Sequence, residues 1–409
     1  MKKATITYLT IIIVACVSLS IFSGCKATTA AAETTAAADD KPFVDKWVIP
    51  NLLFVTGDWG VYGEEMVWGM DKAIEEINAA GGIRGLPVEV KIYDTGTAQT
   101  ELAVTQMAKV LDTKPLVMMG PHGSNDAEAS GQLAVEEGVY MIQSTSSRVA
   151  YDKFKPWAYI QLVEEKSWTW PTAQYWAEKN PDVKKVVFFV QPELTTWYDQ
   201  AKQQMEALKA VGVETVEEIA ITDAVDFSSL AVKALTSEPD GFIMYCNAGP
   251  MVKIALELQK RGIEDNSKFL FFHGAGVPEF WDLAQGKLDG AYHWTIFNLD
   301  AQTTKWQNLL KQYKEEKNGS TPSWTVPSCY DELYIIKQCF EDLKITANPD
   351  KLKEERVMIK DYINNMAGFE FATGTFDVKD GEKLEGAYIY TIKDNQPVEP
   401  VTLPVTWKE

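Results

Sequence analysis

Residues 60–94 read GVYGEEMVWGMDKAIEEINAAGGIRGLPVEVKIYD, and the order of patterns inside them decides the fold. Met66, Met70, Ala73, Ile74 and Ile77 recur at the spacing of one helix face. The glycines of AAGGIRG (79–85) close that helix. VEVKIYD (88–94) follows as a strand, and WVIPNLLFV (47–55) precedes the helix as a short apolar strand. Strand, helix, strand in that order is the unit of a parallel sheet.

Working outward, the alternation continues. A helix is expected over 101–112, a strand at PLVMMG (115–120), an amphipathic helix, and a strand at GVYMIQS (138–144). Beyond a break near 155–165 come KKVVFFV (184–190), a helix over 197–211, DGFIMYCN (240–247), a helix over 250–261 and KFLFFHG (268–274). These strands are apolar on both faces, as parallel strands covered by helices must be. The expectation is an α/β fold of two doubly wound parallel-sheet lobes. From about 295 the pattern loosens into helices near 302–316, 328–344 and 354–366, with a late strand at GAYIYTI (386–392).

The first residues tell a separate story. Lys2 and Lys3 precede an apolar run over 6–22, and Ser23 and Gly24 lead into Cys25. That layout is a secretory signal over 1–24. Phe-Ser-Gly-Cys resembles a bacterial lipobox, which would make Cys25 a lipid-bearing first residue; an uncleaved anchor and plain secretion are the alternatives. Residues 25–45, rich in Ala and Thr, can bury little and are expected to be a flexible, lipid-anchored tether. The protein is therefore expected outside the cytoplasm, held to a bacterial membrane, in the periplasm or at the cell surface.

Composition excludes several classes. The formal net charge of −19 becomes −21 once Lys2 and Lys3 leave with the signal, and such a surface repels nucleic acid. About 385 residues remain, enough for two cores. Cys246, Cys329 and Cys339 show no paired spacing, so buried thiols are expected, with one bridge left open. His122, His273 and His293 form no HExxH, and neither a metal nor a cofactor is expected.

Ligands of open α/β sheets sit beyond the carboxyl ends of strands, against helix N-termini. The loop PHGSND (121–126) places Ser124 and Asn125 where a helix must start, as N-caps, and Gly123 permits close approach. The loop STSSR (144–148) adds Thr145, Ser146 and Ser147. Two adjacent strand ends rich in hydroxyls point to an anion pocket. Trp59 and Tyr62 in the first loop, with Trp197 and Tyr198 after KKVVFFV, would wall it with aromatic surface.

The chain from GVYGEEM through QMAKVL (60–111) resembles the leucine/isoleucine/valine-binding type of periplasmic substrate-binding protein, the extracytoplasmic receptors of ABC importers. A tyrosine–glycine pair before a helix ending in IN-x-x-GGI-x-G carries the match. The resemblance implies the type I fold, with lobes of 46–165 plus 298–383 and of 166–297 plus 384–409. Three crossover strands would join them near 163–167, 293–298 and 383–387. It implies ligand contacts at Tyr62, Ser124, Thr145 and Ser147, and an aromatic one within 196–198. Two departures matter: a family tyrosine falls at Ala248, and the acid that neutralises an amino-acid ammonium falls at Gly274 or Ala275. Glu164, Glu165 and Glu279 are the acids left to replace it. His122 and His273 sit on loops of opposite lobes. The candidate contacts are thus Trp59, Tyr62, His122, Gly123, Ser124, Thr145, Ser147, Trp197, Tyr198, Asn247, His273 and Ala275.

The function expected is capture of a small carboxylate-bearing solute by lobe closure, as a monomer, with ABC permease subunits as partners. The solute would be a branched-chain or other amino acid, or an aromatic or aliphatic carboxylate. A sensing receptor of the same fold is the alternative. An enzyme is not expected: there is no GxSxG elbow, and HGAGVPE (273–279) lacks a dinucleotide fingerprint and puts Pro278 at the helix start.

Overall fold

The computed structural model describes residues 41–145, 147–161, 166–222 and 226–403. The signal, Cys25 and the tether up to residue 40 lie outside the described residues, as do Ser146, Glu164 and Glu165. The tether expected to run to residue 45 stops sooner. The Phe43 N–H donates to the Thr346 carbonyl at 2.7 Å, and Val44 packs on the core.

Element order follows the alternation. The first stretch holds β1 (Trp47–Leu53), α1 (Gly60–Ala79), β2 (Val88–Asp94), α2 (Thr100–Asp112) and β3 (Val117–Met119). It continues through α3 (Ser124–Glu137), β4 (Tyr140–Gln143), α4 (Arg148–Phe154) and β5 (Ala158–Ile160). The second holds α5 (Lys166–Lys179), β6 (Lys185–Val190), α6 (Thr195–Ala210), β7 (Glu214–Ala220) and α7 (Phe227–Leu235). Then come β8 (Gly241–Tyr245), α8 (Ala248–Gln259), β9 (Phe269–Phe271), α9 (Pro278–Ala284) and β10 (Tyr292–Thr295). The rest is α10 (Thr304–Glu316), α11 (Thr325–Asp342), α12 (Leu352–Ile363), the hairpin β11 (Phe369–Phe371) with β12 (Gly374–Phe376), and four last strands. These are β13 (Val378–Lys379), β14 (Glu382–Lys383), β15 (Ala387–Lys393) and β16 (Gln396–Leu403).

Two seven-stranded sheets result, in the orders β13-β14-β5-β4-β3-β1-β2 and β16-β15-β10-β9-β8-β6-β7. The two α/β lobes are as expected, but the sheets are mixed rather than purely parallel. β13 runs antiparallel to β14, β15 to β10, and β16 to β15. The chain passes between sheets after β5, after β10 and after β14. Central strands such as β4, β8 and β9 are buried at every position, which is why they read as unbroken apolar runs. The edge strand β7, ETVEEIA, keeps most side chains at least partly in water. Its acidic character hid it from the pattern search. Pro278 does not obstruct a helix; it begins α9, where its missing N–H costs nothing. Cys246, Cys329 and Cys339 are free, buried thiols. No described helix is long and apolar enough to cross a membrane.

Helix α1 packs along α11 with almost nothing between the backbones. A Cβ on Gly69 would stand 2.1 Å from the Val326 carbonyl oxygen, so only glycine allows this approach. Gly69→Ala must push the helices apart and should cost roughly 2–3 kcal/mol, read as a lower urea midpoint at unchanged m-value.

Candidate functional site

Open sheets leave a crevice where strand order reverses. In the first sheet that point lies between β1 and β3, and in the second between β6 and β8. Chain leaving β1 delivers Phe54, Trp59 and Tyr62; chain leaving β3 delivers His122, Gly123 and Ser124; chain leaving β4 delivers Ser144 and Thr145. Opposite them stand Leu194, Thr196 and Trp197 at the start of α6, and His273 after β9. Trp324, just before α11, closes the wall. Together they bound one pocket of about 490 Å3, counting its opening to solvent.

The lobes are closed over this pocket. The Tyr62 O–H donates to the Gly274 carbonyl at 2.7 Å. Asn125 bridges as well, donating to the Glu193 carbonyl at 3.3 Å and accepting from the Thr195 hydroxyl at 2.9 Å. The Trp197 ring reaches across from α6, its centroid 6.0 Å from both Trp59 and Tyr62 and 4.7 Å from Phe272. A pocket at a switch point, shared by two closed lobes, is the architecture of a solute-binding cleft.

Comparison with known proteins agrees. A family described as periplasmic binding protein matches residues 46–400. The chain belongs to this periplasmic binding protein family. A relative from Pseudomonas aeruginosa, the leucine-, isoleucine-, valine-, threonine- and alanine-binding protein, is 24% identical over 312 residues, 73% of this chain and 79% of the relative. A branched-chain amino acid substrate-binding protein from Streptococcus pneumoniae, solved with isoleucine, superposes with a TM-score of 0.75 at 21% identity. It covers 87% of this chain and 99% of its own. A solute-binding protein from R. palustris, solved with 4-hydroxybenzoate, gives a TM-score of 0.72 at 16% identity, covering 88% and 99%.

Within this binding protein the hydroxyl loops do different work from that expected. Gly123, not Ser124 or Asn125, is the N-cap of α3, and no side chain caps the helix. Its first N–H groups are therefore left for an anion. Ser124 Oγ instead lies 2.7 Å from Thr145 Oγ1, the two hydroxyls standing side by side on the pocket wall. Ser147 faces away: it caps α4 by accepting from the Ala150 N–H at 3.0 Å, and it donates to Glu128 at 2.5 Å. Tyr198 also turns out, donating to Glu218 at 2.8 Å. Asn247 stands at the N-cap position of α8 without a side-chain capping bond, and lines a neighbouring groove with Asp58, Gln191 and Glu279. Ala275 is buried behind the wall rather than in it. Phe54, Ser144, Leu194 and Trp324 line the pocket without having been singled out from the sequence; Asn125, expected as a cap, and Thr196, at the edge of the range expected for an aromatic contact, line it too.

No Asp or Glu stands among the described lining residues. Where the family's acid would fall, the structure presents the Gly274 carbonyl, engaged by Tyr62. Glu279 lies beside Gly249 in the neighbouring groove. Asp126, a buried acid, packs behind Gly123. Burial pushes its carboxyl up to about 7.

His122 is fully committed. Its Nδ1 accepts from the Ser144 N–H at 3.3 Å, leaving the Nε2 proton to meet Asn51 Oδ1 at 2.8 Å. Behind it Ser144 donates to Glu332 at 2.6 Å. Burial holds His122 down at about 3, so the imidazole is neutral near pH 7, and the same burial pushes the Glu332 carboxyl well above its ordinary range. His122, Cys329 and Glu332 do bring potential ligand atoms within 4.8 Å of one another. With both imidazole nitrogens already bonded, the group reads as a strut and not a metal centre.

Asp126 gives a test by pH. Its raised folded-state pKa means the native protein resists ionisation that the unfolded chain accepts from about pH 4, so stability falls between about pH 4 and pH 7. Asp126→Asn should therefore stabilise the protein on the order of 2–3 kcal/mol at pH 8 and much less at pH 4, measured by denaturant melts at both pH values.

Proposed function

We propose that this protein captures a small solute bearing a carboxylate on an apolar or aromatic body, closes its lobes on it, and presents it to an ABC permease. The observation that carries this reading is the union, in one pocket, of an uncapped helix N-terminus with an aromatic wall and, among the described lining residues, no acid. The α3 N-terminus and the Ser124–Thr145 hydroxyls offer donors for a carboxylate. Phe54, Trp59, Tyr62, Trp197 and Trp324 offer apolar surface for the rest. A buried ammonium would lack a counter-charge there, at a cost of several kcal/mol. The named relatives and neighbours handle carboxylates of both kinds, amino acids and a hydroxybenzoate. The missing acid favours the second kind here.

Hydrolysis is disfavoured by the same geometry. Ser124, two residues from His122, pairs with Thr145, and both nitrogens of His122 are engaged elsewhere. A nucleophile without a base is inert. The lobes are taken as 46–165 plus 298–383 and 166–297 plus 384–409, working as a monomer. Cys25 is read as the lipid site that keeps the protein at the membrane where its permease lies.

Ser124→Ala and Thr145→Val should each weaken binding of phenylacetate or isoleucine, whichever binds, about tenfold, the loss of one charge-assisted hydrogen bond. Calorimetry is the measurement. Unchanged affinity in both variants, or equal binding of phenylacetamide, would show that the carboxylate is held elsewhere.

A further inference from the structure

Three buried polar atoms of the pocket wall remain over once the protein's own hydrogen bonds are assigned. The indole N–H groups of Trp59 and Trp324, and Nδ1 of His273, have no hydrogen-bond partner among the described residues. All three side chains line the same pocket, and they are only 7%, 6% and 1% exposed. An unpaired buried donor or acceptor costs about 1–3 kcal/mol, so three in one cavity mark what its occupant must supply.

The atoms divide by position. Trp59 packs against Gly123 at the start of α3 through the Cζ3 edge of its ring, which would stand 3.1 Å from a Cβ there. His273 and Trp324 form a second group, their rings 5.5 Å apart and nearly perpendicular. They come from opposite lobes, His273 from the loop after β9 and Trp324 from the turn before α11. Only closure brings them together.

The chemistry of this second group is specific. His273 Nε2 lies 3.1 Å from Gln200 Oε1, an acceptor, so the ring proton sits on Nε2 and Nδ1 is a bare lone pair. Trp324 contributes a donor. A partner for both must give a proton and accept one. A carboxylate cannot donate, and an ammonium cannot accept. A neutral hydroxyl does both. Burial holds His273 down at about 3, so the imidazole is uncharged near pH 7 and has nothing to offer a second anion. Trp168, Trp197, Phe272 and Trp294 pack around the same ring and exclude charge from that end.

We propose that the solute carries, away from its carboxylate, a neutral hydroxyl lodged between His273 Nδ1 and the Trp324 indole N–H, so that the protein selects hydroxylated carboxylates over their unsubstituted analogues. This rests on the carboxylate reading above and narrows it. A site built around a hydroxyl discriminates strongly against a ligand lacking one, because its own polar atoms are then stranded.

Calorimetry with benzoate, 3- and 4-hydroxybenzoate, 4-methoxybenzoate and 4-hydroxybenzyl alcohol tests it on the purified protein. The better hydroxybenzoate should bind at least tenfold tighter than benzoate and than the methoxy acid, which accepts but cannot donate. Trp324→Phe, which keeps a ring and deletes the N–H, and His273→Phe should each shrink that ratio to within about threefold. A wild-type ratio near one overturns the hydroxyl contact and leaves the carboxylate reading standing. Binding of 4-hydroxybenzyl alcohol as tight as the acid does the reverse. Failure of all five probes to bind overturns the hydroxyl contact, and failure of phenylacetate and isoleucine as well overturns the carboxylate reading.

Discussion

Glu65 is a carboxylate taken out of water, and the geometry of the pocket descends from the way it is compensated. Burial raises its pKa, while donors packed around it pull the other way. The Tyr313 O–H reaches it at 2.5 Å and the Thr325 hydroxyl at 2.6 Å, with the hydroxyl and N–H of Ser323 beside them. Such a group is tolerable only with its donors in place. Ser323 and Thr325 flank Trp324, so satisfying one buried acid on α1 fixes the indole that closes the wall. One turn earlier on the same helix is Tyr62, and one turn later is Gly69, where the backbone of α11 touches. A single helix thus sets the aromatic wall, the contact between lobes and the docking of its partner helix.

Closure relies on few bonds. Tyr62 to Gly274 and Asn125 to Glu193 and Thr195 are hydrogen bonds across the cleft, and the Trp197 ring and the His273–Trp324 pair pack across it. Neutral hydrogen bonds contribute about 1 kcal/mol each in net terms. A difference that small between open and closed forms is one that a solute touching both lobes can shift. Micromolar capture asks for about −8 kcal/mol in all, so most of the favourable energy must come from the solute's own contacts.

Much of this was legible before any coordinates. β2 was bounded to the residue at 88–94, and central strands announced themselves because burial on both faces leaves no polar position to confuse the pattern. β7 did not, since an edge strand with three glutamates resembles a loop. The antiparallel margins were equally hidden, because strand direction depends on where a crossover returns and not on local composition. Trp59, Tyr62, His122 and Trp197, singled out for their place just after strands, line the pocket. Ser147 met the same criterion but caps a helix, a role that residue type alone does not distinguish from ligand contact. Trp324 was invisible: it enters from a turn more than 260 residues beyond Trp59, brought there by packing of α11 on α1. Only the Ser-Trp-Thr run around it hinted at an ordered turn.

The contact between Tyr62 and Gly274 uses a main-chain carbonyl as its acceptor. Every residue type carries that oxygen. The clasp itself therefore asks nothing of a side chain at Gly274, but the Phe272 ring does, since a Cβ there would stand 2.4 Å from it. The shutting of the jaws and the packing behind the cargo thus converge on one glycine.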